Sequence, residues 1–217
     1  MPSPWTLTSE GAAIHAAERT AVIADVHLGY EWARASGGDS IPPHSLAETL
    51  AKLDLLLSRA SIARLIVAGD LVETPKPCPR TSRDVRALVA WLRERAIEPV
   101  FLMGNHDPPR RPALLASIEV DGWTILHGDR PLPEGPCLFG HHHPALKATG
   151  LVAPCFLIGE RTIALPAFSP NAAGFDVSSG WLPEPLRREP LRCVAGAGGE
   201  LLDFGPLREL VSRLRPL

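Results

Sequence analysis

Short apolar runs that each end in acidic, amide or imidazole residues constrain the fold of this chain more than any other feature. Five such runs occur in order between residues 20 and 143. The first three, residues 20–24, 64–68 and 99–103, are separated by helical patterns, and this alternation is typical of stacked β-α units with strands covered on both faces. The carboxyl ends of neighbouring parallel strands lie along one edge of a sheet. We therefore predict that the polar residues after these runs converge in one crevice.

Two helices are predicted between the first three strands. The first begins at Ser45, where Glu48 is placed to complete a capping box. The second begins with Thr81 as N-cap and has Asp84 in the capping-box position. In both segments the apolar residues recur on one helical face, which predicts a side packed against the sheet.

The last third of the chain predicts β structure rather than further β-α units. Apolar runs at residues 123–126, 137–139 and 162–165 indicate strands. Residues 169–190 are rich in Pro, Gly and Ser and predict a long loop. A hairpin over residues 191–204 and a short helix to residue 213 complete the chain. At this length we expect a single domain, residues 1–217.

Composition excludes several classes of protein. With a formal net charge of -2, the chain lacks the excess of basic residues found in proteins that bind duplex nucleic acid mainly by neutralising phosphates. No run reaches the ~18 apolar residues of a membrane span. The amino-terminal segment also lacks a signal-peptide pattern, so we expect a soluble, cytoplasmic protein without a membrane partner. The four cysteines form no C-x-x-C pair, which favours reduced thiols over a zinc or redox motif.

Residues that follow the predicted strands carry carboxylate, imidazole or amide groups suited to metal binding. The candidate ligands are Asp25, His27, Asp70, Asn105, His127, His141 and His143. Such a mixed set without thiolate suits Mn, Fe, Co or Zn in expanded coordination better than a structural zinc site. Seven ligands exceed the need of one ion, which predicts two ions. Asp70 could bridge a pair separated by ~3.5 to 4 Å.

The ordered set resembles the five sequence blocks of the calcineurin-like metallophosphoesterase superfamily. The blocks here are Asp25-Val26-His27, Gly69-Asp70, Gly104-Asn105-His106-Asp107, His127-Gly128 and Gly140-His141-His142-His143. The resemblance implies an α/β fold, a four-layer α-β-β-α sandwich of two mixed β-sheets flanked by helices. It also implies that Asp25, His27, Asp70 and His143 bind the first metal. Asp70, Asn105, His127 and His141 would then bind the second.

The same resemblance implies a catalytic role for His106, which is not a ligand in that family. His106 would protonate the leaving oxygen or stabilise charge in the transition state. Glu73 stands where the family often has Asp or His and could orient His106 through a hydrogen bond, and a solvated Glu is the alternative. His142 lies between two ligands and is expected not to be one, and Asp107 is expected to be a structural hydrogen-bond partner of its loop.

Other stretches resemble a small bacterial and archaeal group that includes the ligase-associated DNA damage response endonucleases. These are residues 25–31, the Ile41-Pro42 pair and the Pro166-Ala167-Phe168 segment. This resemblance implies a phosphodiesterase that acts as a nuclease on single-stranded or damaged DNA. It implies Mn as the metal, with Fe, Zn, Co or Ni as alternatives, and ligase- or helicase-associated repair proteins as partners.

Substrate contacts are predicted for three arginines near the mouth of the cleft, Arg110, Arg111 and Arg130. Guanidinium groups bind phosphates well. The alternative is that these arginines belong to ordinary solvated turns and have no role in substrate binding. Tyr30 and Trp32 could stack on a base or simply close the core.

Three other functions remain open at this point. A small-molecule or nucleotide phosphatase would use the same seven ligands. A non-catalytic scaffold of the same fold would be expected to lack His106 or several ligands, and here none is missing. Trp181-Leu182, an apolar pair in a polar segment, could mark a partner surface or an oligomer contact.

Overall fold

The computed structural model describes residues 3–108, 114–148 and 151–214 of the chain. Its first sheet has five strands in sequence order, β1 (Trp5–Leu7), β2 (Ala13–His15), β3 (Thr20–Ile23), β4 (Arg64–Val67) and β5 (Glu98–Phe101). β3, β4 and β5 are parallel, whereas β1 and β2 extend the sheet as antiparallel strands. The predicted β-α units are therefore confirmed, and an unpredicted pair of short strands adds to one edge.

Helices cover the outer face of this sheet. They are α1 (Tyr30–Ala35) and α2 (Ser45–Arg59), which follow β3, and α3 (Pro79–Glu94), which follows β4. Leu53 of α2 and Leu88 of α3 are buried in one cluster with Ile23 and Val67 of the sheet. Each fully buried leucine stabilises the fold by about 1.5–3 kcal/mol because its side chain leaves water.

The second sheet is mixed and larger. Among the described residues its strands are β6 (Ser117–Val120), β7 (Trp123–Leu126), β8 (Cys137–Phe139), β9 (Pro144–Ala148), β10 (Leu151–Ile158), β11 (Thr162–Ala164), β12 (Phe175–Asp176), β13 (Arg192–Ala197) and β14 (Glu200–Pro206). The spatial order is β12-β9-β10-β11-β8-β7-β6, and the hairpin β13–β14 attaches to β10. β7 and β8 are parallel neighbours, so their carboxyl ends lie side by side.

The two sheets pack face to face and make a four-layer sandwich. Val22 and Ile66 point from the first sheet into a cluster that also contains Ile125 and Leu138 of the second sheet. On the far side, α4 (Leu207–Leu214) buries Leu207 against the second sheet. The order is thus helices, sheet, sheet, helix, and the α/β fold with two mixed sheets is confirmed.

Helix starts were predicted less well than the helices themselves. α2 begins at Ser45 as expected, but His44 is the N-cap and no side chain caps the helix. Instead, Ser45 donates its hydroxyl proton to the buried carboxylate of Glu31 at 3.1 Å. Because this partner lies on another helix, no local rule indicates it, and the predicted capping box is wrong.

α3 begins at Pro79, two residues before the predicted start, with Cys78 at the N-cap. Pro is well suited to the first helical turn because its missing N–H would be unpaired there in any case. Thr81 is buried within the helix, and Asp84 accepts a hydrogen bond from the Trp32 indole at 2.8 Å. Both residues predicted to cap α3 therefore serve tertiary packing.

The segment of residues 169–190 has little regular structure, as predicted. It contains the two-residue strand β12 and two 3-10 turns, Val177–Ser179 and Glu184–Arg187. Trp181 is 62% exposed and its ring contacts Phe175 edge-on. Leu182 packs against the cluster under α4, so the proposed partner surface is reduced to a single exposed aromatic residue, which is common on protein surfaces. Among the described residues, no helix is both long enough and apolar enough to cross a lipid bilayer.

Candidate metal centre

All the candidate ligands lie on loops at one edge of the sandwich. The loops follow β3, β4 and β5 in the first sheet, and β7 and β8 in the second. Several hydrogen bonds join the sheets there. The His141 backbone N–H donates to Asp25 Oδ2 at 2.9 Å, and His127 Nδ1 lies 3.2 Å from the Ala68 carbonyl. The predicted convergence of the strand ends is confirmed.

Most of these ligands hold an unusual backbone conformation. Left-handed φ values occur at Asp25 (57°), His27 (52°), Asp70 (47°), His141 (67°) and His143 (48°). This region costs roughly 1–2 kcal/mol per non-glycine residue and persists only where the surrounding structure enforces it. The concentration of such strain in one loop cluster is typical of a functional site.

Two glycines permit the close approach of the loops. A Cβ atom at Gly69 would overlap the ring of His127, and one at Gly104 would overlap the carboxylate of Asp70. Neither glycine was assigned a role from the sequence, although each directly precedes a candidate ligand. Close backbone approach is a general reason for glycine at such positions.

The first group of donors consists of Asp25, His27 and His143, whose ligand atoms all lie within 4.8 Å of one another. His143 Nε2 is 3.4 Å from Asp25 Oδ1. The imidazole of His27 stands edge-on to that of His143, with ring centroids 5.3 Å apart. Asp25 is completely buried and His27 is 5% exposed.

The second group centres on Nε2 of His127. Three other donor atoms approach it: Asn105 Oδ1 at 2.9 Å, His141 Nδ1 at 3.2 Å and Asp70 Oδ2 at 3.4 Å. The Ala68 carbonyl can accept a proton from His127 Nδ1, and in that tautomer the Nε2 lone pair is directed at the other donors. Several lone pairs that face one another are stable when they share a cation.

Asp70 lies between the two groups. Its Oδ1 accepts the backbone N–H of His106 at 2.8 Å, while Oδ2 faces His127. The backbone carbonyl of Asp70 accepts the N–H of His27 at 3.0 Å. This position suits the predicted bridging role.

The chemistry of the donors fits divalent metal ions. Asp25 Oδ1, His27 Nε2 and His143 Nε2 are buried and have no hydrogen-bond partner among the described residues. An unpaired buried polar group costs about 1–3 kcal/mol, and coordinate bonds to a cation would satisfy all three atoms. The groups contain oxygen and imidazole donors without thiolate, the combination that suits Mn, Fe, Co, Ni or Zn.

Electrostatics favour the protonation states that ligands need at Asp25 and His141, whereas at His143 the contact with Asp25 and its charge outweigh burial and raise the pKa. Burial alone would raise the pKa of Asp25, but contact with His143 and the charges of the neighbouring histidines outweigh it and hold the pKa below its usual value. Burial and the charge of His127 lower the pKa of His141. An ionised carboxylate and a neutral imidazole are the forms that bind metal.

His106 lies beside the first group, and Glu73 contacts it in an unexpected way. The predicted hydrogen bond exists, but the backbone carbonyl of Glu73 accepts it from His106 Nδ1 at 2.7 Å. The Glu73 carboxylate lies 3.0 Å from His27 Nδ1 instead, without making a hydrogen bond. The Glu73 side chain is therefore placed to act on His27 rather than on His106, which is a correction to the predicted contact.

The predicted substrate-binding arginines are only partly described. Arg130 is exposed and lines a cavity of about 410 Å³ together with Asn105 and His127. Arg110 and Arg111 lie outside the described residues. The cavity adjoins the second donor group, so Arg130 is placed where a phosphate bound near that group could meet it.

Of the two neighbours of the ligands, Asp107 has the structural role expected of it. Asp107 accepts the backbone N–H groups of Gly104 at 3.0 Å and Val72 at 3.3 Å. His142 packs edge-on against Phe139, and burial, together with the charge of His141, lowers its pKa to about 4. His142 belongs to neither donor group.

Comparison with known proteins agrees with this geometry. Residues 18–149, more than half of the 217-residue chain, match the family of calcineurin-like phosphoesterases. The chain is also similar to the crystal structure of the Pseudomonas putida nuclease MPE, with a TM-score of 0.68 and 26% sequence identity. That similarity covers 92% of this chain and 94% of the nuclease chain.

Proposed function

The chain belongs to the calcineurin-like phosphoesterase family, and from this premise we propose that it is a nuclease that hydrolyses phosphodiesters of DNA at a centre of two divalent metal ions. The family makes it a hydrolytic phosphoesterase. The observation that carries the finer proposal is the pair of adjacent donor groups, Asp25-His27-His143 and Asp70-His127-His141, with Asn105 beside the second.

Two ions are proposed because the donor set divides around Asp70. The first ion would be held by Asp25, His27, Asp70 and His143, and the second by Asp70, Asn105, His127 and His141. When bound, such a pair supplies a nucleophile at neutral pH and neutralises charge on the phosphate. Mn is the proposed metal, with Fe, Zn, Co or Ni as alternatives.

His106 is the proposed catalytic residue, and two hydrogen bonds support this role. The Glu73 carbonyl holds the proton of Nδ1 and the Asp70 carboxylate holds the backbone N–H. Nε2 is then the nitrogen left to serve the substrate, and when the ring carries a second proton there, Nε2 can give that proton to the leaving oxygen. The hydrogen bond from Nδ1 limits rotation of the ring, and the bond from the backbone N–H holds the loop that carries it.

DNA as the substrate is supported by the similarity to a nuclease over nearly the whole of both chains. Arg130 beside the cavity near Asn105 is consistent with a phosphate-bearing substrate. A role in DNA repair with ligase- or helicase-associated partners stays a prediction.

The test compares three substrates with one Mn-loaded preparation: bis-p-nitrophenyl phosphate, p-nitrophenyl phosphate and a labelled single-stranded oligonucleotide. We expect diester and oligonucleotide cleavage that is lost in the His106→Ala variant, which controls for contaminating enzymes. Hydrolysis of the monoester alone would contradict the nuclease assignment and favour a phosphatase with the same centre.

The number of ions is tested separately by elemental analysis of the reconstituted protein. Two equivalents of metal per chain are expected. One equivalent at saturating metal would contradict the dinuclear proposal even if the enzyme were active.

A further inference from the structure

The start of α3 lies at the rim of the metal centre. Thr81 packs so closely on Gly29 that a Cβ atom there would overlap the threonine side chain, and Gly29 is two residues from the ligand His27. Glu73, which contacts His27, is followed by the loop that leads into α3 at Pro79. The segment from Lys76 to Arg80 therefore lies between Glu73, which contacts the ligand His27, and Thr81, which packs on Gly29.

An arginine is held over an aromatic ring at this rim. The Arg80 guanidinium carbon lies 4.8 Å from the ring centre of Trp32. The indole itself is fixed because its N–H donates to Asp84 at 2.8 Å. Trp32 is half-buried and Arg80 is exposed. Stacking limits the rotamers of the arginine, so less entropy is lost when it binds an anion.

The charge of Arg80 is not balanced locally. Within the described part of the chain, neither Arg80 nor Lys76 has a carboxylate within 4.0 Å. Asp84 is approached by Arg83 at 4.0 Å rather than by Arg80. Two uncompensated cations beside a phosphodiesterase centre favour an extended polyanion as the ligand.

A second arginine near α3 also stacks on a tryptophan, but its charge is paired with a carboxylate. Arg95 lies 3.9 Å over Trp91, but it also forms an ion pair with Asp54 at 3.7 Å. Arg95 directly follows α3 and precedes β5, so it lies at the edge of the sheet opposite the metal centre. It is a matched control for Arg80.

We propose that Arg80, stacked on Trp32, binds a phosphate of a single-stranded polynucleotide outside the scissile bond, with Lys76 as a second contact. This inference rests on the proposed nuclease function. The phosphate in question is one beyond the scissile bond, which a small diester does not have. An arginine of this kind distinguishes polynucleotides from small phosphodiesters, because only the former reach beyond the centre.

The experiment measures kcat/KM for a single-stranded thymidine oligonucleotide and for bis-p-nitrophenyl phosphate with the Mn-loaded enzyme. The variants are Arg80→Gln, Arg80→Lys and the control Arg95→Gln. We expect the ratio of oligonucleotide to small-diester kcat/KM to fall about tenfold in Arg80→Gln, as for loss of one charge-assisted contact. Arg80→Lys keeps the charge without the stacking, so its ratio should fall less. The ratio for Arg95→Gln should match that of the wild type.

Salt dependence supplies a second readout. Each phosphate contact to a single strand adds about 0.7 to the slope of log affinity against log salt. The slope of log kcat/KM for the oligonucleotide should therefore be about 0.7 shallower in Arg80→Gln.

The outcomes separate this inference from the function on which it rests. An Arg80→Gln variant with the wild-type ratio and slope would overturn the inference alone, and so would a parallel loss on both substrates, because Arg80 would then act through the centre. A wild-type enzyme that hydrolyses the small diester but no oligonucleotide would overturn the nuclease assignment together with the inference.

Discussion

Asp70 is the residue that we propose as the bridge between the two ions. Its two carboxylate oxygens divide their contacts between the His106 backbone and His127. We expect Asp70→Asn to lose metal from both groups and to abolish activity, because the amide keeps the shape but not the charge needed to bridge two cations. Elemental analysis and diester hydrolysis measure this, with circular dichroism as the control for folding. Full turnover with two bound ions would exclude Asp70 as the bridge.

His106 should be separable from metal binding. It belongs to neither of the two proposed ligand sets, so His106→Ala should retain the metal content of the wild type. We expect kcat to fall by ~10² to 10⁴, the usual contribution of a positioned acid or base. Unchanged kcat at saturating substrate would assign His106 a structural role.

Glu73 is predicted to act through His27, since its carboxylate lies 3.0 Å from His27 Nδ1. Glu73→Gln leaves the backbone carbonyl that holds His106 in place. We therefore expect metal affinity to weaken by about 10- to 100-fold, as for other residues that orient a ligand. Excess Mn should restore kcat. A kcat that stays low at saturating Mn would instead place Glu73 in the chemical step.

At the scale of elements, α2 positions the segment that supports Asp25. Lys52 of α2 donates to the Phe168 carbonyl at 2.6 Å. The N–H groups of Phe168 and Ser169 in turn donate to the carbonyls of Ala24 and Asp25, at 2.8 Å and 3.0 Å. The helix is thus connected through one backbone hydrogen bond to Asp25, the left-handed residue that begins the candidate metal centre, and through another to the preceding Ala24.

Burial of Lys52 should make stability depend on pH. Burial lowers its pKa from 10.5 to about 8, and the charges of Glu10 and Glu48 oppose this only in part. Below about pH 8 both states hold the proton and the cost of burying the charge is present in full. Between pH 8 and 10.5 the native state releases the proton while the unfolded state retains it, so the free energy of unfolding gains about 3 kcal/mol.

Urea unfolding across this pH range tests the prediction. Lys52→Met should remove the rise in the free energy of unfolding, whereas Lys76→Met, at an exposed lysine, should keep it. Equal rises in the wild type and in Lys52→Met would show that other groups cause the pH dependence.

The elements themselves were predictable where a physical pattern is local. Apolar runs predict β3, β4, β7 and β8 because covered parallel strands are apolar on both faces. The ligand loops followed from where those strands end. β1 and β2 were missed because each has three residues of which one is polar, so neither shows an apolar run such as that of β8. The Ser45 contact with Glu31 and the direction of the Glu73 side chain depend on distant partners, and local sequence carries no signal for either.

At the scale of the whole molecule, the centre joins the two sheets. The first donor group joins Asp25 of the first sheet to His143 of the second. The second group joins Asp70 of the first sheet to His127 and His141 of the second. The cluster between the sheets likewise mixes residues of both. The prediction that residues 1–217 form one domain therefore leads us to expect a single cooperative unfolding transition.

Metal binding should stabilise this assembly because ligands from both sheets meet only in the native state. A ligand present at about 100 times its dissociation constant stabilises the native state by roughly 2.7 kcal/mol, which for a chain of this size raises Tm by about 5–10 °C. Chelation should lower Tm by that amount and readdition of Mn should restore it. The Asp70→Asn variant should show little response to either treatment, since it is expected to lose both ions. An unchanged wild-type Tm after complete removal of metal would show that the two sheets associate independently of the centre.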